Sequence, residues 1–349
     1  MKLLYISGYH ETLEYNDLSL FTEMGIDWFS TGKYKDTSEQ LTSKSWRPSI
    51  TKETDQELLQ EFNRLNPNQQ QYGRVQLSKE FVDKFDMILC SFCFLRQDML
   101  DLIWPHCKHK PLAFLTYSQQ FSNFEVRLQE YRSKGVKLVR GSPRESTIDN
   151  YAGEDAIIRC YVDENVFSKW TGGNSKVLSF SNDFPARINH PNFNCYRAYN
   201  RVIQQKLPCS LFGNQTEPAG GGGFIPFEKH LEEYKNCSCY FSIGSPPATV
   251  TYNFLEAWMT GAPVLTFGSK IGNGVDYNTH EPPFLIENDV DGFYSDDLAE
   301  LILTANTLLL DQNLAKKVGD AGRKKCLSIF GKEVVKTSWE VFFKSLGVY

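Results

Sequence analysis

The feature that most restricts the fold is a rhythm: short apolar runs alternate with amphipathic stretches along the whole chain. The first runs are "KLLYIS" (2–7), "DWFST" (27–31), "DMILCSF" (86–92), "PLAFLTY" (111–117), "VKLVRGS" (136–142) and "AIIRCYV" (156–162). Short runs that are apolar throughout suit strands buried on both faces, and such strands need helices to cover them. Between several of them lie helical patterns such as "LEYNDLSLFTEMG" (13–25), which closes on a glycine suited to a C-terminal cap. Strands alternating with helices predict an α/β fold with a parallel, doubly wound sheet.

The rhythm breaks at the polar stretch "SKWTGGNSK" (168–176) and then restarts. The second series is "KVLSFS" (176–181), "YRAYNRVIQQK" (196–206), "CSLFG" (209–213), "FEKHLEEYKNC" (227–237), "CYFSIG" (239–244), "TYNFLEAWMTGAPVLTF" (251–267) and a strand-like "FLIE" (284–287). Three helical patterns, 296–310, 312–326 and 332–346, close the chain. The expected organisation is therefore two Rossmann-like domains, 1–168 and 169–331, with the last helix, about 332–349, packing back on the first. Ligands in such sheets sit at the carboxyl ends of the strands, so two halves of this kind predict a site in the cleft they face. The polar segment 36–75 is expected to hold one helix, at about 53–65, between loops.

A length of 349 residues fits two domains, and a net charge of -5 gives no overall attraction for nucleic acid or acidic membranes. One local run is basic: Arg127, Arg132, Lys134, Lys137, Arg140 and Arg144 are opposed within their own segment only by Glu130. It reads either as a solvated helix face or as a patch for an anionic partner. No apolar stretch reaches the length of a membrane span, and the first run is too short for a signal peptide. A cytoplasmic location is expected, with the nine cysteines as free thiols. Asn214 and Asn236 match the glycosylation pattern, which carries no meaning without secretion. Cys90 and Cys93, followed by His106, Cys107 and His109, could supply zinc ligands. Because Cys90 lies inside the apolar run "MILCSFCFL", a buried small side chain is the expected role and no metal is expected.

The stretch 251–267 poses the sharpest chemical question. Thr249 or Thr251 can cap a helix starting near Tyr252, and Gly261 with Pro263 ends it. Inside, among Phe254, Leu255, Ala257, Trp258 and Met259, stands Glu256. A buried carboxylate is costly unless it is partnered, which leaves an Arg or Lys salt bridge or a ligand's hydroxyls. The free N–H groups at the helix start favour an anion. An anion site one turn from a carboxylate suits a nucleotide, with diphosphate on one and ribose on the other.

"FLEAWMTGAPVL" resembles the second half of the E-x7-E signature of glycosyltransferase family four. "GGFIPFEKHLEEYKNCSCYFSIGS" (222–245), "FLIENDVDGFYSDDLAELI" (284–302) and "LLLDQNLAKKVGDAGRKKCLSIF" (308–330) resemble that family's later segments, and the likeness runs from about 136 to 335. It implies the GT-B fold, two Rossmann-like doubly wound domains facing a cleft. The activity it implies is transfer of a sugar from a nucleotide-diphosphate donor, here a UDP-sugar, to a glycan, a lipid-linked sugar or another hydroxyl. No tightly bound cofactor or metal is implied, and transfer is expected to be retaining. Carried over by position, Glu256 binds the donor ribose and the N–H groups near Thr251 and Tyr252 hold the diphosphate. Arg187, in "SFSNDFPAR" (179–187), stands for the family's phosphate arginine, although residues 188–194 lack the usual lysine. The base pocket falls near Asn214, Phe224, Ile225 and Pro226, beside the glycine run 220–223.

One position departs from the pattern. Eight residues before Glu256, where the family has a sugar-binding Glu, stands Ala248, so either the sugar contact comes from elsewhere, with Thr249, Thr251 and backbone groups in reach, or the sugar differs. In the first half, Gly8 and His10 follow the first strand, and His10 could donate to a phosphate or assist acceptor deprotonation. The loop after "PLAFLTY" offers Ser118, Gln119 and Gln120 but no base. A front-face displacement needs none, because the departing phosphate can take the proton. His280 and Glu281 form a second polar cluster on the donor side. Phage base glucosyltransferases share this architecture, which makes a modified DNA base an alternative acceptor. A sugar-nucleotide binder without transferase activity, an epimerase or a phosphorylase of the same fold is the other alternative.

Overall fold

The computed structural model describes residues 1–8, 11–32, 55–67, 75–92, 98–117, 121–274 and 278–349. It divides into two compact units. The first takes the described residues of Met1–Gln40, Arg47–Tyr161 and Glu333–Tyr349, and the second takes Val162–Lys332.

In the first unit the elements run β1 (Lys2–Gly8), α1 (Glu11–Glu23), β2 (Asp27–Ser30), α2 (Gln56–Leu65), α3 (Lys79–Val82), β3 (Met87–Phe92), α4 (Met99–Cys107), β4 (Leu112–Leu115), α5 (Ser122–Ser133), β5 (Lys137–Arg140) and β6 (Ala156–Ile157). They form one sheet in the order β2-β1-β3-β4-β5-β6, and every pairing is parallel. Alternate residues of a strand point to opposite faces. Leu4, Ile6, Ile88, Cys90, Leu112 and Phe114 accordingly enter one core layer, while Leu3, Tyr5, Met87, Leu89, Ala113 and Leu115 enter the other. The run 156–162 pairs only through Ala156 and Ile157, fewer residues than its apolar character suggests.

The second unit runs β7 (Val177–Phe180), α6 (Phe184–Asn189), α7 (Asn194–Ala198), α8 (Gln204–Lys206), β8 (Cys209–Phe212), α9 (Phe227–Asn236), β9 (Cys239–Ser242), α10 (Tyr252–Thr260), β10 (Val264–Phe267), α11 (Ser269–Gly272), α12 (Pro282–Leu285), β11 (Phe293–Ser295), α13 (Leu298–Leu310) and α14 (Gln312–Phe330). A wider-wound turn, Tyr199–Ile203, joins α7 to α8. The sheet order is β11-β10-β9-β7-β8, again all parallel. "FLIE" is not the last strand. Pro282 and Pro283 occupy the first helical positions of α12, where their fixed φ suits a helix and their missing N–H would break a ladder. The strand instead follows a turn, and Phe293 pairs with Leu265.

The last helix, α15 (Lys332–Ser345), sets Val335, Trp339, Phe342 and Phe343 into the core layer that holds Tyr5 and Phe21. Their spacing is that of one helical face.

Candidate functional site

The order of the second sheet reverses between β7 and β9: β8 lies outside β7, and β10 and β11 lie outside β9. Loops leaving two strands at such a point diverge and open a crevice, the place where doubly wound sheets bind ligands. Arg187 stands on α6, just after β7, and its Nη1 donates to Ser245 Oγ in the loop after β9. One side chain therefore ties the two sides of the reversal together.

The other partners of Arg187 are also neutral. Nη1 lies 3.3 Å from the Tyr196 hydroxyl, and the guanidinium sits over the Phe193 and Tyr196 rings at 5.8 and 5.4 Å. Its Nε is buried without a hydrogen-bond partner. Among the described residues no carboxylate pairs with it. A guanidinium held only by hydroxyls and rings keeps its positive charge uncompensated, in a geometry suited to a bidentate anion.

The loop from Ser245 leads directly to α10. The Ala248 N–H donates to the Ser245 carbonyl at 2.9 Å, closing a turn. Thr249 is buried, its carbonyl accepts the Glu281 N–H at 2.8 Å, and its hydroxyl has no partner among the described residues. Thr251 caps α10, its hydroxyl accepting from the Phe254 N–H at 3.4 Å, and half-buried Tyr252 opens the helix. Gly261, at φ 93, ends it in the left-handed conformation that a glycine adopts without strain.

Glu256 is buried in the middle of α10, and no Arg or Lys among the described residues pairs with it. Its Oε2 accepts from the Tyr234 hydroxyl at 3.0 Å and lies 4.0 Å from His230 Nε2. Both partners come from one face of α9. Burial without a cation pushes the Glu256 carboxyl up to about 7, and the Tyr234 hydrogen bond only partly offsets this. His230 is packed between Phe180 and Tyr234, with ring centroids 3.8 and 4.7 Å away. Burial pulls its imidazole down to about 3, so it is neutral at ordinary pH. Neither His230 nor Tyr234 is picked out by the sequence reading. The available signal is their spacing of four within "FEKHLEEYKNC", which puts both on one helical face.

The loop after β8 is bound to the loop after β7. The Asn214 N–H donates to Asn182 Oδ1 at 2.9 Å, and the Asp183 N–H donates to the Asn214 carbonyl at 3.0 Å. The glycine run packs on the end of β8: Gly222 N–H meets the Leu211 carbonyl at 2.8 Å, and a Cβ on Gly221 would stand 2.6 Å from that of Thr216. Its close backbone approach is thus to the protein's own strand. Phe224 is exposed, Ile225 half-buried and Pro226 exposed where the chain enters α9. His280 and Glu281 are buried; His280 Nε2 lies 3.1 Å from the Phe267 carbonyl, under Gly244.

Thr249, Thr251, Tyr252 and Glu256 thus share one loop and helix of the second unit, and Arg187, on α6, is tied to that loop through Ser245. Gly8 ends β1 in the first unit, while His10, Ser118, Gln119, Gln120 and Cys93 lie outside the described residues. The first unit holds buried carboxylates that sequence reasoning missed. Asp17 accepts from Tyr5 at 2.9 Å and from Tyr117, and burial pushes its carboxyl up to about 7. Glu14 accepts from Ser7 at 2.7 Å and from Ser30.

The basic run does not form an open cationic face. Arg127 pairs with Asp101, Lys137 with Asp155 at 3.1 Å and Lys134 with Glu130 at 2.5 Å. Arg132 lies 3.7 Å from Asp155 and donates to the Ala152 carbonyl. Arg140 is fully buried and makes a fork to Glu125 at 2.7 and 2.8 Å. Replacing Arg140 with Met would strand Glu125 in the core and is expected to cost about 3–5 kcal/mol, read as a lower urea midpoint. A loss under about 1 kcal/mol would show that Glu125 escapes by taking up a proton. Cys90 and Cys107 lie in an apolar core layer, and no group of three or more potential metal ligands occurs among the described residues. No helix among those residues is long and apolar enough to cross a membrane.

No protein-family model matches the chain, and no curated protein matches it in sequence. Solved structures do match in fold. The Anabaena protein Alr3699/HepE in complex with UDP-glucose is 16% identical with a TM-score of 0.63, over 99% of this chain and 100% of that one. A glycosyltransferase from Rickettsia africae is 14% identical with a TM-score of 0.62, over 99% and 98%. An alpha-glucosyltransferase in complex with UDP-glucose and DNA containing an abasic site is 11% identical with a TM-score of 0.55, over 98% and 99%. The chain has the GT-B fold of these structures: two parallel, helix-covered sheets in sequence.

Proposed function

We propose that the chain is a glycosyltransferase that takes its sugar from a UDP-linked donor. The observation that carries this reading is Arg187: an uncompensated guanidinium at the strand-order reversal, tied to the loop that opens α10. In this reading the diphosphate lies between Arg187 and the first N–H groups of α10, at Thr251 and Tyr252. Glu256, one turn further on, accepts the ribose hydroxyls. The base lies toward Asn214, Phe224, Ile225 and Pro226. Neighbours of the same fold that hold UDP or UDP-glucose support the choice of nucleotide.

Arg187 and the helix start stabilise the charge that develops on the departing diphosphate. That phosphate can take the acceptor's proton itself, in a retaining displacement with no separate base and no metal. The acceptor is a glycan or another sugar hydroxyl. A DNA acceptor is less well supported, because Arg127, Lys137 and Arg140 of the basic run that would track a phosphate backbone are each paired with a carboxylate. A salt-dependent gel shift with duplex DNA would reverse that preference.

The direct test is thermal unfolding across a set of nucleotide sugars. A ligand at about 100 times its Kd adds about 2.7 kcal/mol, hence a rise of roughly 5–10 °C for a unit of this size. UDP-sugars are expected to give that shift and adenine nucleotides are not. No shift with any nucleotide would sink the reading. Turnover of a labelled donor then separates a transferase from a sugar-nucleotide binder, the alternative that Ala248 leaves open.

A further inference from the structure

His230 has no evident structural reason to be a histidine. Its Nε2 is buried and has no hydrogen-bond partner among the described residues, although the ring makes good apolar contacts that a phenylalanine would make as well. The unfilled valence lies 4.0 Å from Glu256 Oε2, and among the described residues that carboxylate has one donor, Tyr234, and no cation. Two buried polar groups, each short of a partner, thus face one another about 1 Å beyond hydrogen-bond reach.

We infer that His230 is a positioning residue for the nucleotide, acting through Glu256: its imidazole backs the carboxylate and holds it in the charged form that accepts a ribose diol. The inference rests on the nucleotide reading above. When the diol arrives, both of its hydroxyls donate to Glu256. The O–H bond of the protonated acid breaks, and its proton leaves to solvent. Ionisation of Glu256, whether or not the diol is present, lets the Nε2–H tautomer of neutral His230 close on Oε2 from behind. No proton is left over and no other reactant is needed.

Among the described residues, the groups around Glu256 leave His230 as the available second donor. Helix α9 contributes His230 and Tyr234, and β9 contributes Tyr240. On the side of α14, Cys326 points at the Leu255 carbonyl and Arg323 donates to the Met259 carbonyl, so both are engaged with the backbone of α10. Strand β10 carries no titratable side chain.

The test compares wild type with His230→Phe and His230→Gln. Carboxyl-labelled glutamate followed by NMR reads the Glu256 midpoint in the ligand-free protein. Calorimetry from pH 5.5 to 8.5 reads affinity for UDP-glucose, whose phosphates keep constant charge there while the terminal phosphate of UDP titrates. In wild type, affinity is expected to rise about 30-fold across this range, following the ionised fraction of a carboxyl with a midpoint near 7. His230→Phe keeps the stacking and loses the donor, so the NMR midpoint and the affinity curve should both move up by about one pH unit. His230→Gln restores a donor and should restore both. A midpoint identical in all three proteins would overturn the inference, leaving His230 as packing only. If UDP-glucose binds with no dependence on the Glu256 titration, the link to the nucleotide fails while the nucleotide reading stands. If UDP-glucose binds at no pH, the nucleotide reading fails and takes this role for His230 with it.

Discussion

Arg187→Ala is expected to reduce sugar transfer by at least 10²–10³-fold while the protein stays folded, the usual cost of removing one preorganised group that meets developing charge. The guanidinium is held in place by Ser245, Tyr196 and two aromatic rings. Little of its binding is therefore lost to ordering when the diphosphate arrives. Its truncation removes the charge and also frees the loop that carries Ala248 and Thr249. Arg187→Lys separates the two effects: it keeps the charge but loses the fork, and it should recover only part of the rate. Steady-state turnover beside a urea unfolding curve checks both. Unchanged turnover in the alanine variant would remove Arg187 from the mechanism and leave the anion site with the helix start alone.

Glu256→Gln should separate stability from function in opposite directions. The native Glu256 carboxyl titrates near 7 against an ordinary 4.5, so between those values the native state binds more protons than the unfolded chain. Stability therefore falls as pH rises through this window, by about 3 kcal/mol in all. Glutamine resembles the protonated acid. The variant should match wild type near pH 5 and exceed it by up to about 3 kcal/mol near pH 8.5. Asp17, raised for the same reason in the first unit, stays in both proteins and cancels in the difference. Nucleotide affinity at pH 8.5 should meanwhile drop about 10–100-fold, the worth of hydrogen bonds to a charged acceptor. A variant less stable than wild type at both pH values would show that the carboxylate is needed for packing and would remove the argument for a ligand.

Much of the fold is legible because its signals are local. Buried strands announce themselves as apolar runs, and α10 is bounded by a threonine cap and a left-handed glycine at the residues that sequence rules select. The error at "FLIE" is also local: adjacent prolines outweigh an apolar run. The basic run misleads for a different reason. Read along the chain it has a single acidic neighbour, yet its ion-pair partners Asp101 and Asp155 lie outside it and Arg140 turns inward to Glu125.

The sequence by itself determined the alternation of strands and helices, the two parallel sheets and the presence of a carboxylate inside an apolar helix, though not the position of the last strand, because periodicity and capping act over a few residues. Only the tertiary structure decided what that carboxylate and the arginine meet. Arg187 reaches Ser245 across 58 positions and Glu256 reaches Tyr234 across 22. Whether a charge is compensated depends on groups brought within a few ångströms by sheet order, and no property of the neighbouring residues encodes that distance. The same chain-distant packing left His230 beside Glu256 with one hydrogen bond unmade.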